Sequence, residues 1–521
     1  MDTKWDAIVV GSGMGGLTAA AALAHAGRRV LVLERHVQAG GLTQTFTRDG
    51  FRFNVGLHGL GGFGPGQPNR RLVEALVGDA LKMTRVDGAN DRVSFPGFSI
   101  AFDAGGSRYD AALRRAFPAE DAGIVRYVEA LNEGQDALDA LLAARCASPL
   151  VGSARTWLKQ RAIERWVART TREVVNECVA DPRARAVLCA RWGDYGSPPS
   201  ESAFALHATM TRRCMDGAWY PAGGPATFAR EFSAAIAAAG GTVRINAEVA
   251  RFEVDRGRAI GVRLTDGERI ASDVVVSDIG IRNTLRRVPS PEMDYRWARE
   301  GYSLQPSVGA VLLHLGLEGD IAARGATATN EWIYDSWDVD AVWHDPENEP
   351  RAPALFVSFP SLRDPAHDPG PRRQHVCELV APIEWKVFAP WDRSNSEEGM
   401  RPGAPSAERS PSYTAFKSLV ERNLLAQFGA RFPELAACVR WVEASSPVSL
   451  ATFTGAEHGA MFGLQTTRAR FLANALRPRT PIRGLYLAGQ DVATPGVMGA
   501  AMGGLMAAAA IEPSLWKLIR G

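Results

Sequence analysis

Closely spaced cysteine pairs are missing from this sequence. Its six cysteines are scattered, and no Cys-x-x-Cys motif or zinc-type spacing occurs among them. The pattern therefore excludes a zinc ribbon and a disulfide-stapled secreted fold as working hypotheses. Free thiols in a reducing compartment are the expectation, and no metal site is predicted.

Long hydrophobic runs are missing as well. The longest apolar run, Val497–Ile511, is rich in Gly and Ala and is shorter than the roughly 20 residues that a spanning helix needs. The N-terminal residues, MDTKWDAIVVGSG, do not place a charged segment before an apolar one, which disfavours a secretory signal. We therefore expect a cytoplasmic protein, with peripheral contact to a membrane left open.

The chain also lacks a large excess of charge of either sign. Its formal net charge is +2, and nucleic-acid binding calls for a concentrated basic face, so no nucleic-acid partner is expected. Apolar residues make up 46% and charged residues 22% of the sequence, as in an ordinary globular protein. At 521 residues the chain exceeds the roughly 250–300 residues of a single core, so at least two domains are expected.

The N-terminal segment has the pattern of a strand, a glycine-rich turn, a helix and a second strand. Residues Asp6–Val10 and Arg29–Glu34 are the predicted strands, with an Ala-rich helix between them. A G-x-G-x-x-G turn in this context allows a tight loop, close approach of a diphosphate to the backbone, and close packing of helix on strand. The helix N-terminus adds free N–H groups and the positive end of its dipole. The predicted nucleotide contacts in the turn are Gly11, Ser12, Gly13, Met14, Gly15 and Gly16.

The second strand ends in an acid, Glu34. A carboxylate at this position accepts hydrogen bonds from ribose hydroxyls and disfavours a 2′-phosphate, so NADP is not the expected ligand. These residues alone leave FAD and NAD open. A glycine-rich turn of an unrelated α/β protein is the alternative to any nucleotide site.

A second glycine pair, Gly40-Gly41, follows in the segment RHVQAGGLTQTF. With this pair the region resembles the superfamily of FAD-containing amine oxidases and phytoene desaturases, in which such a loop wraps the ribose and pyrophosphate. The resemblance implies FAD rather than NAD as the cofactor, and no second fingerprint for NAD(P) is evident. The contacts that it implies in this loop are Arg35, Gly40, Gly41 and Leu42.

Two later segments carry the same resemblance. The segment WYPAGG opens a helix. In this superfamily the strand ending in NAEV then brings backbone to the adenine, which makes Val249 the expected contact; a plain strand residue is the alternative. Near the C-terminus, LYLAGQD returns to the flavin, and the next helix points its N-terminus at the flavin pyrimidine. The contacts implied there are Gly489, Asp491, Val497 and Met498.

The implied fold class is α/β, with a discontinuous Rossmann-type FAD-binding domain and an interleaved α+β substrate domain. We expect the FAD domain to comprise residues 1–69, 215–285 and 446–521. The substrate domain then comprises residues 70–214, which are rich in helical periodicity, and 286–445, which have an irregular pattern with a few strand-like pieces.

Three details favour one branch of the superfamily, that of phytoene desaturases, carotenoid isomerases and retinol saturases. The segment Gly56-Leu57-His58-Gly59 is similar to the D-x-G-x-H stretch of the saturases, although Asn54 stands where an Asp is usual. The segment GAMFGL at 459–464 is similar to the G-x-x-Y-G of the branch. The ending LYLAGQDVATPGVMGA matches the isomerases and saturases better than the amine oxidases.

The branch implies hydride exchange between flavin N5 and a carbon of a lipophilic, polyene or isoprenoid-like substrate. A desaturase or saturase is the leading hypothesis, and a flavin-dependent cis–trans isomerase shares its geometry. Two further hypotheses are an amine oxidase-type flavoenzyme and a flavin-binding scaffold without turnover. The electron donor or acceptor is not indicated by the sequence.

Two histidines are candidates for proton transfer. His58 lies in the saturase-like stretch, and an imidazole with an ordinary pKa near 6.5 suits acid–base chemistry. His458 precedes the glycine of the second branch-specific segment. The alternative for each is a structural histidine that supports a loop or the neighbouring backbone.

Residues 154–174 (ARTWLKQRAIERWVARTTREV) have the pattern of a basic amphipathic helix. Trp157, Leu158, Ile163, Trp166 and Val167 fall on one face at helical spacing, and basic residues lie mostly elsewhere. Such helices with Trp suit lipid interfaces, so this segment is the candidate for membrane contact. A helix packed on its own core with a solvated basic face is the alternative.

Overall fold

A computed structural model describes residues 4–103, 105–147, 154, 157–392 and 410–519. In these ranges the strands are β1 Ala7–Val10, β2 Val30–Leu33, β3 Thr45–Arg48, β4 Phe51–Asn54, β5 Met83–Arg85, β6 Ala89–Phe95, β7 Phe98–Asp103, β8 Trp219–Pro221, β9 Thr242–Arg244, β10 Val249–Asp255, β11 Arg258–Leu264, β12 Arg269–Ala271, β13 Val275–Ser277, β14 Gly309–Glu318, β15 Asn330–Tyr334, β16 Ala354–Ser358, β17 Gln374–Ile383, β18 Val439–Ser445 and β19 Leu485–Leu487.

The α-helices of the same ranges lie between and after these strands. They are α1 Met14–His25, α2 Pro68–Val77, α3 Gly106–Ala116, α4 Asp121–Cys146, α5 Gln160–Trp166, α6 Thr171–Cys178, α7 Pro182–Cys189, α8 Phe204–Met215, α9 Ala226–Ala238, α10 Ile281–Arg287, α11 Tyr295–Ser303, α12 Pro360–Arg363, α13 Trp385–Phe388, α14 Pro411–Arg431, α15 Pro433–Ala436, α16 Pro447–Thr454, α17 Arg468–Leu472 and α18 Val497–Ile511.

A five-stranded parallel sheet forms the nucleotide-binding half of the molecule, in the order β19-β13-β1-β2-β9. Strands β1 and β2 are continuous runs of buried apolar residues, as parallel strands covered on both faces must be. The mixed α/β architecture around this sheet is the Rossmann-type fold that the N-terminal pattern predicts.

Helices α1 and α18 cross on this sheet at glycine contacts. A Cβ added at Gly504 would lie 3.0 Å from the backbone nitrogen of Ala19 and closer still to the carbonyl oxygen of Gly15. Small residues let the two backbones touch. The Gly- and Ala-rich C-terminal run is therefore a buried helix that packs on the first helix of the chain.

A seven-stranded sheet, which we call the large sheet, has the order β18-β14-β17-β16-β15-β6-β7. Its longest strands, β14 and β17, pair antiparallel over ten residues each. One face, which carries Val311 and Leu313, packs on α14. The other face turns toward the functional site.

The expectation of an irregular passage over residues 286–445 is wrong. Five strands of the large sheet, β14 to β18, lie within it. The loops between them are rich in Pro, Asp and Arg. Strands such as β14 and β15 are buried on both faces, so their sequences lack a clear alternation of polar and apolar residues.

The single amphipathic helix expected over residues 154–174 is divided in the structure. Helix α5 ends at Trp166, and a capping box between Thr170 and Glu173 starts α6. Trp166 is buried, whereas Trp157 and Leu158 are each 72% exposed. Arg155 lies outside the described residues. Across the described ranges, no helix combines the length and apolarity needed to cross a bilayer.

Candidate functional site

A cavity of about 930 Å³ opens along the carboxyl edge of the parallel sheet. Its walls include the residues that follow β1, β2, β13 and β19. Open parallel sheets bind nucleotides at this edge, where the strand order reverses. We call this cavity the nucleotide crevice.

The first glycine loop lies along the crevice as predicted from its spacing. Gly11 has a φ of 97°, which favours glycine, and its N–H donates to the carbonyl of Leu33 at 2.9 Å. A Cβ at Gly15 would lie 2.7 Å from the backbone nitrogen of Gly489. Crevice-lining residues from this loop are Gly11, Ser12, Gly13, Met14 and Gly15. Gly16 does not line the crevice; it packs beneath the carbonyl of Gly11.

Glu34 lines the crevice and is held by protein donors. Its Oε2 accepts hydrogen bonds from Ser12 N–H at 2.9 Å and from Ser12 Oγ at 2.6 Å, and its Oε1 accepts from His36 N–H at 2.8 Å. A carboxylate offers about four acceptor positions, so one remains for a ligand hydroxyl. The carboxylate is thus fixed at the end of β2, where a ribose would lie.

The second glycine loop folds over the first. Gly40 N–H donates to the carbonyl of Ser12 at 3.1 Å, and a Cβ at Gly41 would lie 3.2 Å from Gly13 Cα. Arg35 donates through Nη2 to the carbonyl of Thr452 at 2.6 Å. The residues predicted here, Arg35, Gly40, Gly41 and Leu42, all line the crevice.

The later predicted contacts divide between two cavities. Val249, Asp491 and Val497 line the nucleotide crevice. Asp491 accepts a hydrogen bond from Ile281 N–H at 2.9 Å through Oδ2, and its buried Oδ1 has no partner among the described residues. Gly489 lies behind Gly15 rather than on the wall.

A second, smaller cavity of about 220 Å³ adjoins the crevice, and we call it the inner cavity. Val497, at the N-terminus of α18, lines both cavities, whereas Met498 lines only the inner one. The wall residues common to both are Gly56, Met461, Phe462, Gly496 and Val497. Apolar residues of the inner wall include Leu57, Leu60, Trp332, Phe356 and Val380.

His58 lines the inner cavity and faces a buried acid. Its Nδ1 lies 3.4 Å from Glu378 Oε2, and its ring meets Phe356 edge-on at 4.9 Å. Burial, with a smaller effect of Arg363, lowers the pKa of His58 to about 3. Burial raises the pKa of Glu378 to about 8. At neutral pH the pair is therefore a neutral imidazole beside a protonated carboxyl group.

Glu378 is a functional candidate that sequence reasoning missed. The only signal was an acid inside the apolar strand HVCELVAPI. Its Oε1 accepts a hydrogen bond from Asn54 N–H at 2.8 Å, and Asn54 Nδ2 donates to Tyr220 Oη at 2.7 Å. The Asn in place of the usual Asp thus supports the acid through its backbone and leaves no second carboxylate beside it.

His458 lines neither cavity, although Glu457 and Ala460 on either side of it line the nucleotide crevice. Its ring stacks on Trp385 with centroids 5.2 Å apart, and its φ is 58°. This placement argues for a structural role in the loop, so His458 has no part in the chemistry that we propose.

The other end of the inner cavity is charged. Arg363 donates to the backbone carbonyls of His58 and Asn90, and burial lowers its pKa to about 10. Arg191 contacts Asp194 at 2.6 Å. The cavity therefore runs from apolar walls near the crevice to a buried ionic cluster.

The fold and the two adjoining cavities define a flavin-dependent oxidoreductase. A model of the family of flavin containing amine oxidoreductases matches residues 14–512, and the chain belongs to that family. It binds FAD, as the second glycine loop predicts.

Several known proteins are similar over nearly the whole chain. All-trans-retinol 13,14-reductase of Danio rerio is 31% identical, over 96% of this chain and 84% of that protein. The protein of that name in Rattus norvegicus is 30% identical, over 98% and 86%. Chloroplastic prolycopene isomerase of Daucus carota is 23% identical, over 98% and 80%. These similarities confirm the predicted branch.

The fold is shared with solved structures at low identity. The crystal structure of an oxidoreductase from Methanosarcina mazei has a TM-score of 0.63 and 17% identity, over 96% of this chain and 98% of that one. At this identity the likeness establishes the fold alone.

Asp278 is a second residue that sequence reasoning missed, at the end of β13. It lines the crevice beside Gly13 and Gly15. Burial raises its pKa to about 8, against the backbone hydrogen bond from Gly16, and the charges of Glu34 and Asp491 act in the same direction as burial. A neutral carboxyl group at this position does not repel a diphosphate, so the donor set fits FAD.

FAD affinity is expected to weaken above about pH 8 in the native protein. Deprotonation of Asp278 there places a negative charge beside the diphosphate, and binding then requires proton uptake, which costs up to about tenfold in affinity per pH unit. Asp278→Asn should remove this dependence. Fluorescence titration of the apoprotein with FAD between pH 6 and pH 9.5 measures it, and parallel curves for the two proteins would contradict the assignment.

Proposed function

We propose that the protein is an FAD-dependent reductase that saturates a carbon–carbon double bond of a conjugated, isoprenoid-like lipid. The observation that carries the proposal is the contact of His58 with the buried Glu378, since His58 lines the inner cavity beside the nucleotide crevice. Saturation requires a hydride and a proton. The His58–Glu378 pair supplies the proton in the cavity that adjoins the nucleotide crevice, from which the hydride would come. The relatives named all-trans-retinol 13,14-reductase support this chemistry.

The FAD contacts remain those that the sequence predicts, with Asp278 added. Their placement on the crevice wall supports them. The domain division also remains a proposal. It is supported by the parallel sheet, whose strands all come from the segments expected for the FAD domain, and by the large sheet, whose strands come from those expected for the substrate domain.

Bound in its reduced form, FAD supplies a hydride. The walls of the inner cavity hold an extended apolar chain and exclude water, since a volume of about 220 Å³ suits a slender segment better than a bulky ligand. His58 presents Nε2–H on the side of the ring away from Glu378. It gives this proton to the substrate carbon while the carboxyl group of Glu378 passes its own proton to Nδ1.

The direct test uses all-trans-retinol as the probe. Holoprotein reduced with dithionite under anaerobic conditions is mixed with retinol while the flavin and polyene absorbances are followed. We expect the flavin to be reoxidised, the polyene band to shift to shorter wavelength, and the product to be two hydrogens heavier. A reduced flavin that stays reduced with retinol, with β-carotene and with lycopene would overturn the proposal.

Isomerisation of a polyene is the second candidate function. The similarity to prolycopene isomerase favours it. The same anaerobic experiment separates the two functions, because an isomerase returns a product of unchanged mass and leaves the flavin reduced. A saturase consumes one reduced flavin for each double bond.

Peripheral contact with a membrane is proposed at Trp157 and Leu158. Both side chains are exposed, and Lys159 and Arg161 beside them are exposed too. Apolar side chains next to basic ones suit an anionic lipid surface, and a lipophilic substrate must be taken from such a surface.

Trp157→Ser/Leu158→Ser is expected to reduce several-fold the protein that floats with vesicles. The vesicles contain phosphatidylcholine and phosphatidylserine at low salt. Tyr295→Ser/Leu472→Ser, which also removes two exposed apolar side chains, serves as the matched control. Native protein that fails to float, or equal loss in both double variants, would contradict the proposal.

A further inference from the structure

A row of polar side chains crosses the face of the large sheet that carries the functional site. The strand registers place Glu443 opposite His314, His314 opposite Glu378, and Glu378 opposite Ser358. Directly opposed residues point to the same face, about 4.5–5.5 Å apart at Cβ. Asn330 on β15 continues the row, one step beyond the pair of Glu331 with Val357.

The inner members of this row are buried and have polar atoms without partners. His314 is 1% exposed and Glu378 and Ser358 are 0% exposed. Four atoms lack a hydrogen-bond partner within the described residues: His314 Nδ1, Glu378 Oε2, Ser358 Oγ and Asn330 Oδ1. A buried polar atom without a hydrogen-bond partner costs free energy of folding. Such atoms are therefore usually satisfied by ordered water or retained for a functional role.

The neighbouring row on the same face is apolar. Leu312, Val380 and Phe356 oppose one another across the same three strands. Glu378 accepts one hydrogen bond from the backbone N–H of Asn54, and His314 Nε2 lies 3.1 Å from Ser445 Oγ, but the unpartnered atoms of the polar row contribute no such contact. These hydrogen bonds therefore do not account for the burial of the second polar atom of each side chain, Glu378 Oε2 and His314 Nδ1.

One end of the row reaches solvent. Glu443 is 37% exposed, 3.5 Å from Arg48 and 3.6 Å from Lys417. Ser445 Oγ lies 3.1 Å from His314 Nε2, and both residues line the nucleotide crevice. The other end stops at a buried ion pair: beyond Asn330, Asp91 is 1% exposed and contacts Arg191 at 3.4 Å.

We propose that this row carries protons from solvent at Glu443 and Ser445, through His314 and Glu378, to His58. The inference rests on the proposed reductase function, because only a reaction that consumes a proton at His58 needs such a path. His314 and Ser445 act here as positioning residues that return the proton, since they do not face the inner cavity.

The proton balance closes in each turnover. Saturation adds one hydride and one proton across the double bond, and the hydride comes from FAD that an external two-electron donor has reduced. His58 loses the Nε2 proton and gains that of Glu378 at Nδ1, which leaves a carboxylate. His314 reprotonates Glu378 from Nδ1, with one bridging water for the gap, and takes a proton at Nε2 from Ser445 and solvent. Each imidazole is then the opposite neutral tautomer, and proton exchange with water returns both to their starting tautomers before the next turnover. One solvent proton is consumed.

Hydrogen–deuterium exchange at the Glu378 carboxyl group tests the path without turnover. Oxidised holoprotein is moved into D₂O at pH 7, and infrared spectra follow the downshift of the C=O stretch, which Glu378→Gln identifies by its loss. His314→Phe is expected to slow this exchange on the order of 10²-fold. His375→Phe, on β17 but off the row and in ring contact with His367, should exchange at the native rate.

A double variant replaces His314→Phe if that protein does not fold. If His314→Phe takes up no FAD, Glu443→Gln/Ser445→Ala replaces it, with slower exchange again expected. Glu443 is the exposed end of the row, and Ser445, opposite Leu312 in the neighbouring row, reaches His314 through its hydroxyl group. Exchange as fast as in the native protein, in whichever of these proteins binds FAD, would overturn the proposal.

Turnover separates failure of the path from failure of the function. With dithionite and all-trans-retinol, native protein should saturate the polyene and His314→Phe should do so more slowly, with a larger solvent isotope effect. If the native protein saturates no polyene, the proposed function is rejected, and the exchange experiment still tests the proton path. If His314→Phe turns over as fast as the native protein, with an equal solvent isotope effect, the proton path is rejected and the proposed function stands.

Discussion

Gly15→Ala is expected to yield a colourless protein that takes up no FAD. A Cβ at this position would lie 2.7 Å from the backbone nitrogen of Gly489 and closer still to its Cα. Neither backbone can yield by a rotamer change, so the cost exceeds the about 1–3 kcal/mol of ordinary overpacking. Because Gly15 borders the crevice, displacement of its turn should remove contacts with the diphosphate, and a loss of about 3 kcal/mol of binding free energy equals about a 100-fold fall in FAD affinity. Absorbance of purified protein and a FAD titration measure it.

Gly429→Ala is the matched control for this change. Gly429 lies inside α14, and the nearest atom to an added Cβ is that of Ala436 at 3.8 Å. Alanine in a helix interior should stabilise the fold by about 0.5–1 kcal/mol and leave FAD uptake unchanged. A yellow Gly15→Ala protein with native affinity would show that the diphosphate does not lie against this turn.

His58→Ala and Glu378→Gln are expected to keep the yellow chromophore and to lose turnover by about 10²–10⁴-fold. Neither residue lines the nucleotide crevice, so FAD uptake should not change. His58 is the proposed acid, and Glu378 restores its proton. Single-turnover reoxidation of the reduced protein by all-trans-retinol measures the loss, and His375→Ala, on the same strand as Glu378, is the control.

The rate of the same reaction is expected to fall at high pH. Burial raises the pKa of Glu378 to about 8, so its protonated, proton-donating form predominates below that pH and is lost above it. The rate should be flat from about pH 6 to pH 8 and then fall up to tenfold per unit. Glu378→Gln should be slow and flat across this range. Full turnover in either variant, or a native rate that rises above pH 8, would reject the roles.

Folding stability should follow pH through the same carboxyl group. A pKa near 4.3 in the unfolded chain and about 8 in the folded one means that this group's contribution is fully present below about pH 4. It is lost as pH rises toward 8, because the unfolded chain releases the proton first.

The nucleotide half of the molecule could be predicted from sequence because its signals are local. The strand–turn–helix with Glu34 and the second glycine pair follow one another within the first part of the chain, and each residue type has one physical role there. His58 was found in the same way, from a short motif. The FAD cofactor and the α/β fold are confirmed by the family and by the solved structures.

Glu378, Asp278 and the polar row could not be predicted, because they depend on strand order. His314 and Glu378 are far apart in sequence and oppose each other only through the register of β14 with β17. Nothing local to HVCELVAPI fixes that register. The wrong expectation of one helix at 154–174 has a different, local cause. The apolar spacing is continuous there, but the capping box of Thr170 with Glu173 begins a new helix.

The glycine contact between α1 and α18 has a consequence for biosynthesis. Gly15 and Gly504 are far apart in the sequence, so the packing beneath the glycine turn is completed only after the ribosome has translated α18. Contacts so distant in sequence form late and slowly. The nascent chain therefore lacks a complete cofactor pocket until α18 packs on α1, and FAD binding is expected to follow translation of α18.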